Sequence, residues 1–191
     1  MTIAVLDACV LYRGTVTDFL LNAAEQGVFE PIWSQQIADE WTRNLVLRTQ
    51  IPRERIDYRR NRMNDAFPEA SCDAGSETLN SVIDHCRSKA EEKDAHVVAT
   101  AIAAEASIIV TYNLKDFPPH ILKPFGLEAM VPDDFFCDLA DTDVLKALGT
   151  ARAHFNSIRK PPLSAPDYLD LLSSPKADLY QTRAWLDTNG F

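Results

Sequence analysis

The chain has 191 residues, of which 46% are hydrophobic, and its formal net charge at pH 7 is −9. Such a chain can bury a core, which excludes a disordered protein and indicates one globular domain with an appendage. The first ten residues have no basic stretch before their apolar run. No apolar run approaches the roughly 20 residues that span a membrane. We therefore expect a soluble, cytoplasmic protein.

The four cysteines lie far apart and form none of the close pairs of a zinc knuckle or a redox motif. We expect Cys9, Cys72, Cys86 and Cys137 to be reduced packing residues, as in cytoplasmic proteins. Cys9 lies two residues after Asp7 and could be mistaken for a nucleophile. Because no partnered base is in view, we interpret it as a small buried residue.

Positive charge is concentrated in one segment. Seven of the nineteen basic residues fall between Arg43 and Arg62, where only Glu54 and Asp57 oppose them. Five arginines follow Pro52 and are candidates for binding a substrate or a partner: Arg53, Arg55, Arg59, Arg60 and Arg62. Such a face could contact phosphates, dock an acidic protein, or be a solvated helix surface.

The first elements alternate between strand and helix. Thr2 to Leu6 predicts a buried strand ending at Asp7, and residues 15 to 26 predict a helix that stops at Gly27. Phe29 to Trp33 is a short strand candidate. Ser34 is placed to cap the next helix, whose apolar stripe lies beside Glu40.

The later elements continue the alternation. Helices are predicted from Pro52 to about Phe67, near Thr78 to Arg87, and from about Lys93 onwards, and the first of them is strongly polar. Ser107 to Thr111 is the clearest buried strand. Helical patterns also cover residues 143 to 159 and 175 to 187. Short apolar strands between helices indicate an α/β fold with a largely parallel sheet.

Three acids fall at related places in this topology. Asp7 follows the first strand, Asp94 starts a helix, and Asp116 lies in the loop after strand 107–111. Carboxylates at neighbouring strand ends repel one another unless a divalent cation neutralises them, and oxygen ligands suit Mg²⁺ or Mn²⁺. Glu40 could complete the cluster. Taken singly, each acid could instead be a helix cap or a solvated charge.

Four segments together resemble the PIN-domain family: IAVLDACVL, SQQIADEW, KDAHVVATAIAAEA and SIIVTYNLKDFP. The resemblance covers residues 3 to 131. It implies a three-layer α/β/α domain over residues 1–131, with residues 132–191 as a helical extension packed on or next to it. The family's acidic residues correspond to Asp7, Glu40, Asp94 and Asp116. Thr111 and Asn113 fit the supporting polar positions.

The resemblance further implies an endoribonuclease that binds Mg²⁺ or Mn²⁺. Many such bacterial domains are VapC-like toxins, which implies a cognate antitoxin and a homodimer. Asp7, Asp94 and Asp116 would bind metal, and Glu40 would join them or orient water. The arginine-rich helix and the stretch beyond Pro132 are larger than a minimal VapC-like toxin needs.

Two alternatives remain open. A non-catalytic PIN-like module could bind RNA or protein and use its acids only to hold a structural metal. A phosphatase or phosphotransferase could use Asp7 as a nucleophile, as haloacid dehalogenase-like enzymes do. Those enzymes resemble one another in the motif DxDx[TV], whereas Cys9 stands here at the place of the second acid.

Overall fold

The computed structural model describes residues 1–191 and has one four-stranded sheet. The strands are β1 (Thr2–Leu6), β2 (Phe29–Ile32), β3 (Ile108–Val110) and β4 (Glu128–Met130). Their order is β2-β1-β3-β4, and β3 pairs in parallel with both β1 and β4. The predicted α/β fold with a parallel sheet is therefore confirmed. Strand β4 was not predicted, because its sequence, EAM, has neither β-branched residues nor alternation.

Twelve helices accompany the sheet. They are α1 (Ala8–Leu11), α2 (Gly14–Glu25), α3 (Gln35–Arg48), α4 (Arg53–Ala66), α5 (Ser76–Ile83), α6 (Lys89–Lys93), α7 (Ala95–Ala103), α8 (Pro119–Leu122), α9 (Pro132–Thr142), α10 (Val144–Ser157), α11 (Ala165–Leu172) and α12 (Tyr180–Thr188). The helix predicted from about Lys93 is confirmed as α7, which begins after Asp94, whereas the short helix α6 before it was not predicted. None of the twelve is long and apolar enough to cross a membrane.

The chain divides into two compact units, and the sheet-containing unit comprises Thr2–Tyr12 and Glu30–Met130. Its central strands β1 and β3 contribute fully buried side chains, among them Leu6 and Ile109. Helix α7 is apolar around its circumference and is buried from Ala95 to Ala101. Helix α3 begins where Ser34 Oγ accepts the Ile37 N–H, as predicted. These elements hold the carboxyl ends of β1 and β3 in place.

The second unit comprises Met1, Arg13–Phe29 and Val131–Phe191, so it combines α2 with α9 to α12. Phe19 of α2 packs edge to face on Phe136, with ring centroids 4.7 Å apart, and on His154 at 5.5 Å. His154 Nδ1 lies 3.0 Å from the hydroxyl of Tyr168. Burial lowers the pKa of His154 to about 4, so the imidazole is neutral at pH 7. The division at residue 131 stays a prediction.

Asp133 connects two helices of this second unit. Its side chain is buried, and its carboxylate accepts the backbone N–H groups of Gln181 (2.7 Å) and Thr182 (2.8 Å) and the Thr182 hydroxyl (2.7 Å). Those N–H groups belong to the first turn of α12. The N–H groups of a first helical turn have no hydrogen-bond partners within their own helix. The carboxylate of α9 therefore satisfies the start of α12 and complements its dipole.

Candidate active site

Asp7 is held firmly at the carboxyl end of β1. Its side chain is buried, and its Oδ1 accepts the Ala8 N–H at 2.6 Å. Its Oδ2 accepts the Thr111 hydroxyl at 2.7 Å and the Cys9 thiol at 3.1 Å. Parallel pairing places Leu6 opposite Val110, so the residues that follow each strand, Asp7 and Thr111, become neighbours. The supporting position predicted for Thr111 is thus next to Asp7.

Cys9 and Asn113 extend this network. The Tyr112 N–H donates to Cys9 Sγ at 3.3 Å, and the Asn113 N–H donates to Thr111 Oγ1 at 3.0 Å. Burial, reinforced by the negative charge of Asp7, raises the pKa of the Cys9 thiol to about 12. The thiol therefore keeps its proton and is no nucleophile. Asn113 contributes its backbone, while its side chain is exposed.

Asp94 interacts electrostatically with the other three predicted acids. It occupies the break between α6 and α7 and is half-buried. Burial raises the pKa of its carboxyl, and the negative charges of Asp116, Asp7 and Glu40 also raise it. The fold therefore brings all four side chains into one electrostatic environment, which we call the carboxylate cluster.

The members of the carboxylate cluster differ in how far hydrogen bonds restrict their side chains. Asp7 accepts three hydrogen bonds, whereas the carboxylates of Glu40, Asp94 and Asp116 accept none. His96 Nε2 lies 3.9 Å from Glu40 Oε2, which is beyond hydrogen-bond distance. One carboxylate is thus fixed, and three can turn without breaking a hydrogen bond.

The chemistry of these donors fits Mg²⁺ or Mn²⁺, which prefer carboxylate oxygens. The repulsion that raises the pKa of Asp94 is also what a divalent cation would remove. As the side chains stand, no group of three or more His, Cys, Asp or Glu is arranged to hold a metal ion. Binding would therefore require the three carboxylates without hydrogen bonds to turn inwards while Asp7 keeps its position.

Sequence reasoning did not assign Cys9 or His96 to this site. The four-residue helix α1 turns the chain after Asp7 and brings the Cys9 thiol back to the Asp7 carboxylate, a short-range signal that was available. His96 is buried on α7, and its Nδ1 lies 3.1 Å from the Lys93 carbonyl. Its approach to Glu40 depends on packing between α7 and α3, for which a single sequence has no signal.

The predicted ligand-binding arginines of α4 separate into two groups. Arg53 pairs with Asp57 of its own helix at 2.8 Å, and Arg60 pairs with Asp39 of α3 at 2.8 Å. The guanidinium carbon of Arg59 lies 5.0 Å from the ring centroid of Trp41, a cation–π contact. Arg59 and Arg60 therefore hold α4 against α3, whereas the ion pair of Arg53 lies within α4.

Arg55 and Arg62 are exposed and form no ion pair. Together with Tyr58, which is 68% exposed, they follow the spacing i, i+3, i+7 and share one face of α4. We call these three residues the arginine–tyrosine face. It is the part of α4 that remains available to a ligand.

Comparison with known proteins agrees with this geometry. A family model described as PIN domain matches residues 3–115, and one described as VapC50 C-terminal domain matches residues 132–186. The chain is 42% identical over 84 residues to "Putative ribonuclease VapC50" of Mycobacterium tuberculosis (strain ATCC 25618 / H37Rv). That alignment covers 42% of this chain and 47% of the relative, about half of its length. No solved structure matches the chain. The PIN model covers more than half of the chain, which therefore belongs to the PIN-domain family.

Proposed function

We propose that the protein is a metal-dependent endoribonuclease that hydrolyses RNA phosphodiester bonds. The observation that supports the proposal is the carboxylate cluster, because the charges of Asp7, Glu40 and Asp116 all act on Asp94, and Asp7 follows the carboxyl end of β1. Ligand sites of open α/β sheets lie at that edge. The similarity to a protein named as a ribonuclease supports the same reaction, and PIN-domain nucleases generally use divalent metals.

In this proposal, Asp7, Asp94 and Asp116 hold Mg²⁺ or Mn²⁺ directly or through water. Glu40 completes the set of ligands or orients the attacking water. Thr111 keeps Asp7 in position through its hydroxyl. When bound, the cation supplies activation of water and neutralises charge at the phosphoryl oxygens.

The direct test is RNA hydrolysis by the purified protein with Mn²⁺ and with EDTA. We expect cleavage with Mn²⁺ and none with EDTA, because chelation leaves the carboxylate cluster without its counter-charge. An Asp7→Asn preparation purified in parallel controls for contaminating nuclease. RNA binding without cleavage under every metal condition would favour the alternative of a non-catalytic PIN-like module.

The proposal extends to partners and organisation. The protein would be the toxin of a toxin–antitoxin pair, inhibited by a cognate antitoxin and assembled as a homodimer in the cytoplasm. Residues 1–131 would form the nuclease domain, and residues 132–191 its helical extension. The match of the VapC50 C-terminal domain to residues 132–186 supports a VapC-like protein larger than a minimal toxin.

The arginine–tyrosine face provides a prediction about the antitoxin. The rest of the chain is acidic and would repel RNA, so attraction by charge alone is a weak explanation for RNA binding. We therefore favour docking of an acidic antitoxin segment on this face. Arg55→Gln/Arg62→Gln is expected to lose co-purification of the antitoxin and to keep RNA cleavage. Arg152→Gln, an exposed arginine of α10, is the matched control.

The same variant separates docking from RNA binding. If the two arginines bind phosphates instead, the slope of log affinity for single-stranded RNA against log salt falls by roughly 0.7 for each phosphate that is no longer neutralised. Retention of the antitoxin with a shallower salt slope would reverse our assignment. No change in either measurement would make the arginine–tyrosine face a solvated surface.

A further inference from the structure

The Cys9 thiol contacts three groups around Asp7. Its Sγ lies 3.1 Å from Asp7 Oδ2 and 3.3 Å from Thr111 Oγ1, and it accepts the Tyr112 N–H at 3.3 Å. A thiol and a hydroxyl each carry one hydrogen. The Thr111 hydroxyl donates to Asp7 Oδ2, and the thiol donates to the same oxygen, which is the nearer of its two possible acceptors. Oδ2 therefore has two side-chain donors.

The same sulfur joins two segments of the carboxylate cluster. Tyr112 begins the loop after β3, which continues into the 3₁₀ turn Leu114–Asp116. By donating to Asp7 and accepting from Tyr112, Cys9 links the end of β1 to the loop that carries Asp116. A side chain that can only donate a hydrogen bond, or that can neither donate nor accept one, cannot make both contacts.

We propose that Cys9 is a positioning residue, which holds Asp7 in the orientation in which that carboxylate binds the divalent cation. The inference rests on the proposed function, because it assigns Asp7 to metal binding. Asp7 is the member of the carboxylate cluster that accepts side-chain hydrogen bonds, and Cys9 supplies one of the two. Partners of this kind, which hold a ligand without touching the metal, typically change metal affinity by 10–100-fold when removed.

Three substitutions in the full chain separate hydrogen bonding from packing. Cys9→Ser keeps a donor and an acceptor, Cys9→Val fills the space of the sulfur and adds a methyl group but has neither, and Cys9→Ala removes both volume and hydrogen bonds. Mn²⁺ affinity is measured by calorimetry on RNA-free protein, and thermal unfolding is followed in EDTA. We expect Cys9→Val and Cys9→Ala to bind Mn²⁺ about 10–100-fold more weakly, with most of the affinity recovered in Cys9→Ser.

Each outcome decides the matter. Wild-type Mn²⁺ affinity in Cys9→Val would overturn the proposal and leave Cys9 as a packing residue. Equally weakened binding in Cys9→Ser and Cys9→Val would overturn it as well, because restoring the hydrogen bonds would then have no effect. Asp7→Asn is included in the same series. If Asp7→Asn bound Mn²⁺ as tightly as the wild type, or the wild type bound none, the proposed metal site itself would fail, and this role with it.

Discussion

Asp94→Asn is expected to reduce RNA cleavage by roughly 100-fold or more and, in EDTA, to raise the melting temperature of the protein. Cleavage falls because an amide replaces a carboxylate that binds the metal. Loss of a metal ligand should reduce activity at least as much as loss of a residue that only orients a ligand. Stability rises because Asp94 is half-buried among Asp7, Glu40 and Asp116, whose negative charges disfavour its ionised form. The side chain makes no capping hydrogen bond that asparagine would lose.

The pH dependence of this stability difference follows from the direction in which the pKa of Asp94 is shifted. The pKa of Asp94 is raised in the folded protein, so ionisation destabilises the fold as pH rises above the ordinary value of 3.8. Asp94→Asn is therefore expected to have a higher melting temperature than the wild type at pH 7, and this difference should shrink as the pH falls towards 3. Thermal unfolding at both pH values in EDTA measures it.

Added Mn²⁺ provides the complementary measurement. It should raise the melting temperature of the wild type more than that of Asp94→Asn, because a ligand that binds only the folded state stabilises it more when it binds more tightly. A lower melting temperature of Asp94→Asn in EDTA, or wild-type cleavage by this variant, would contradict our account of the carboxylate cluster.

Asp133→Ala is expected to lower the free energy of unfolding by roughly 3 kcal/mol, since hydrogen bonds to charged groups contribute about 1.5–3 kcal/mol each. The substitution removes the acceptor for two backbone N–H groups and one hydroxyl at the start of α12. The groups around Thr182 are buried, so water cannot fully replace the carboxylate. Urea unfolding followed by circular dichroism measures the change.

The neighbouring acid is the matched control. Asp134 accepts the side-chain amide of Gln181 but is exposed, so Asp134→Ala should change the free energy of unfolding by less than about 1 kcal/mol. Equal effects of the two substitutions would show that burial of the Asp133 network does not contribute as we describe.

Local patterns were sufficient for the central elements and for the place of most acids. Strands β1 and β3 were predicted as buried apolar runs. Because an acid follows each of these strands, Asp7 and Asp116 were predicted to share one edge of the sheet. The apolar stripe of α3 placed Glu40 near the core. These features depend on residues close in sequence, where periodicity and capping operate.

Features that depend on distant residues could not be predicted in this way. Helices α9 and α11 went unrecognised. The engagement of Arg59 and Arg60 with α3 was also missed, because composition alone does not distinguish arginines bound to their own fold from those facing solvent.

The interleaved make-up of the second unit has a consequence for synthesis on the ribosome. Phe19 emerges more than 100 residues before Phe136 and His154, the rings on which it packs. At about 5–20 residues per second, Phe136 is synthesised roughly 6 to 23 s after Phe19. Until then the apolar residues of α2 lack that packing, so the second unit forms only when translation is nearly complete.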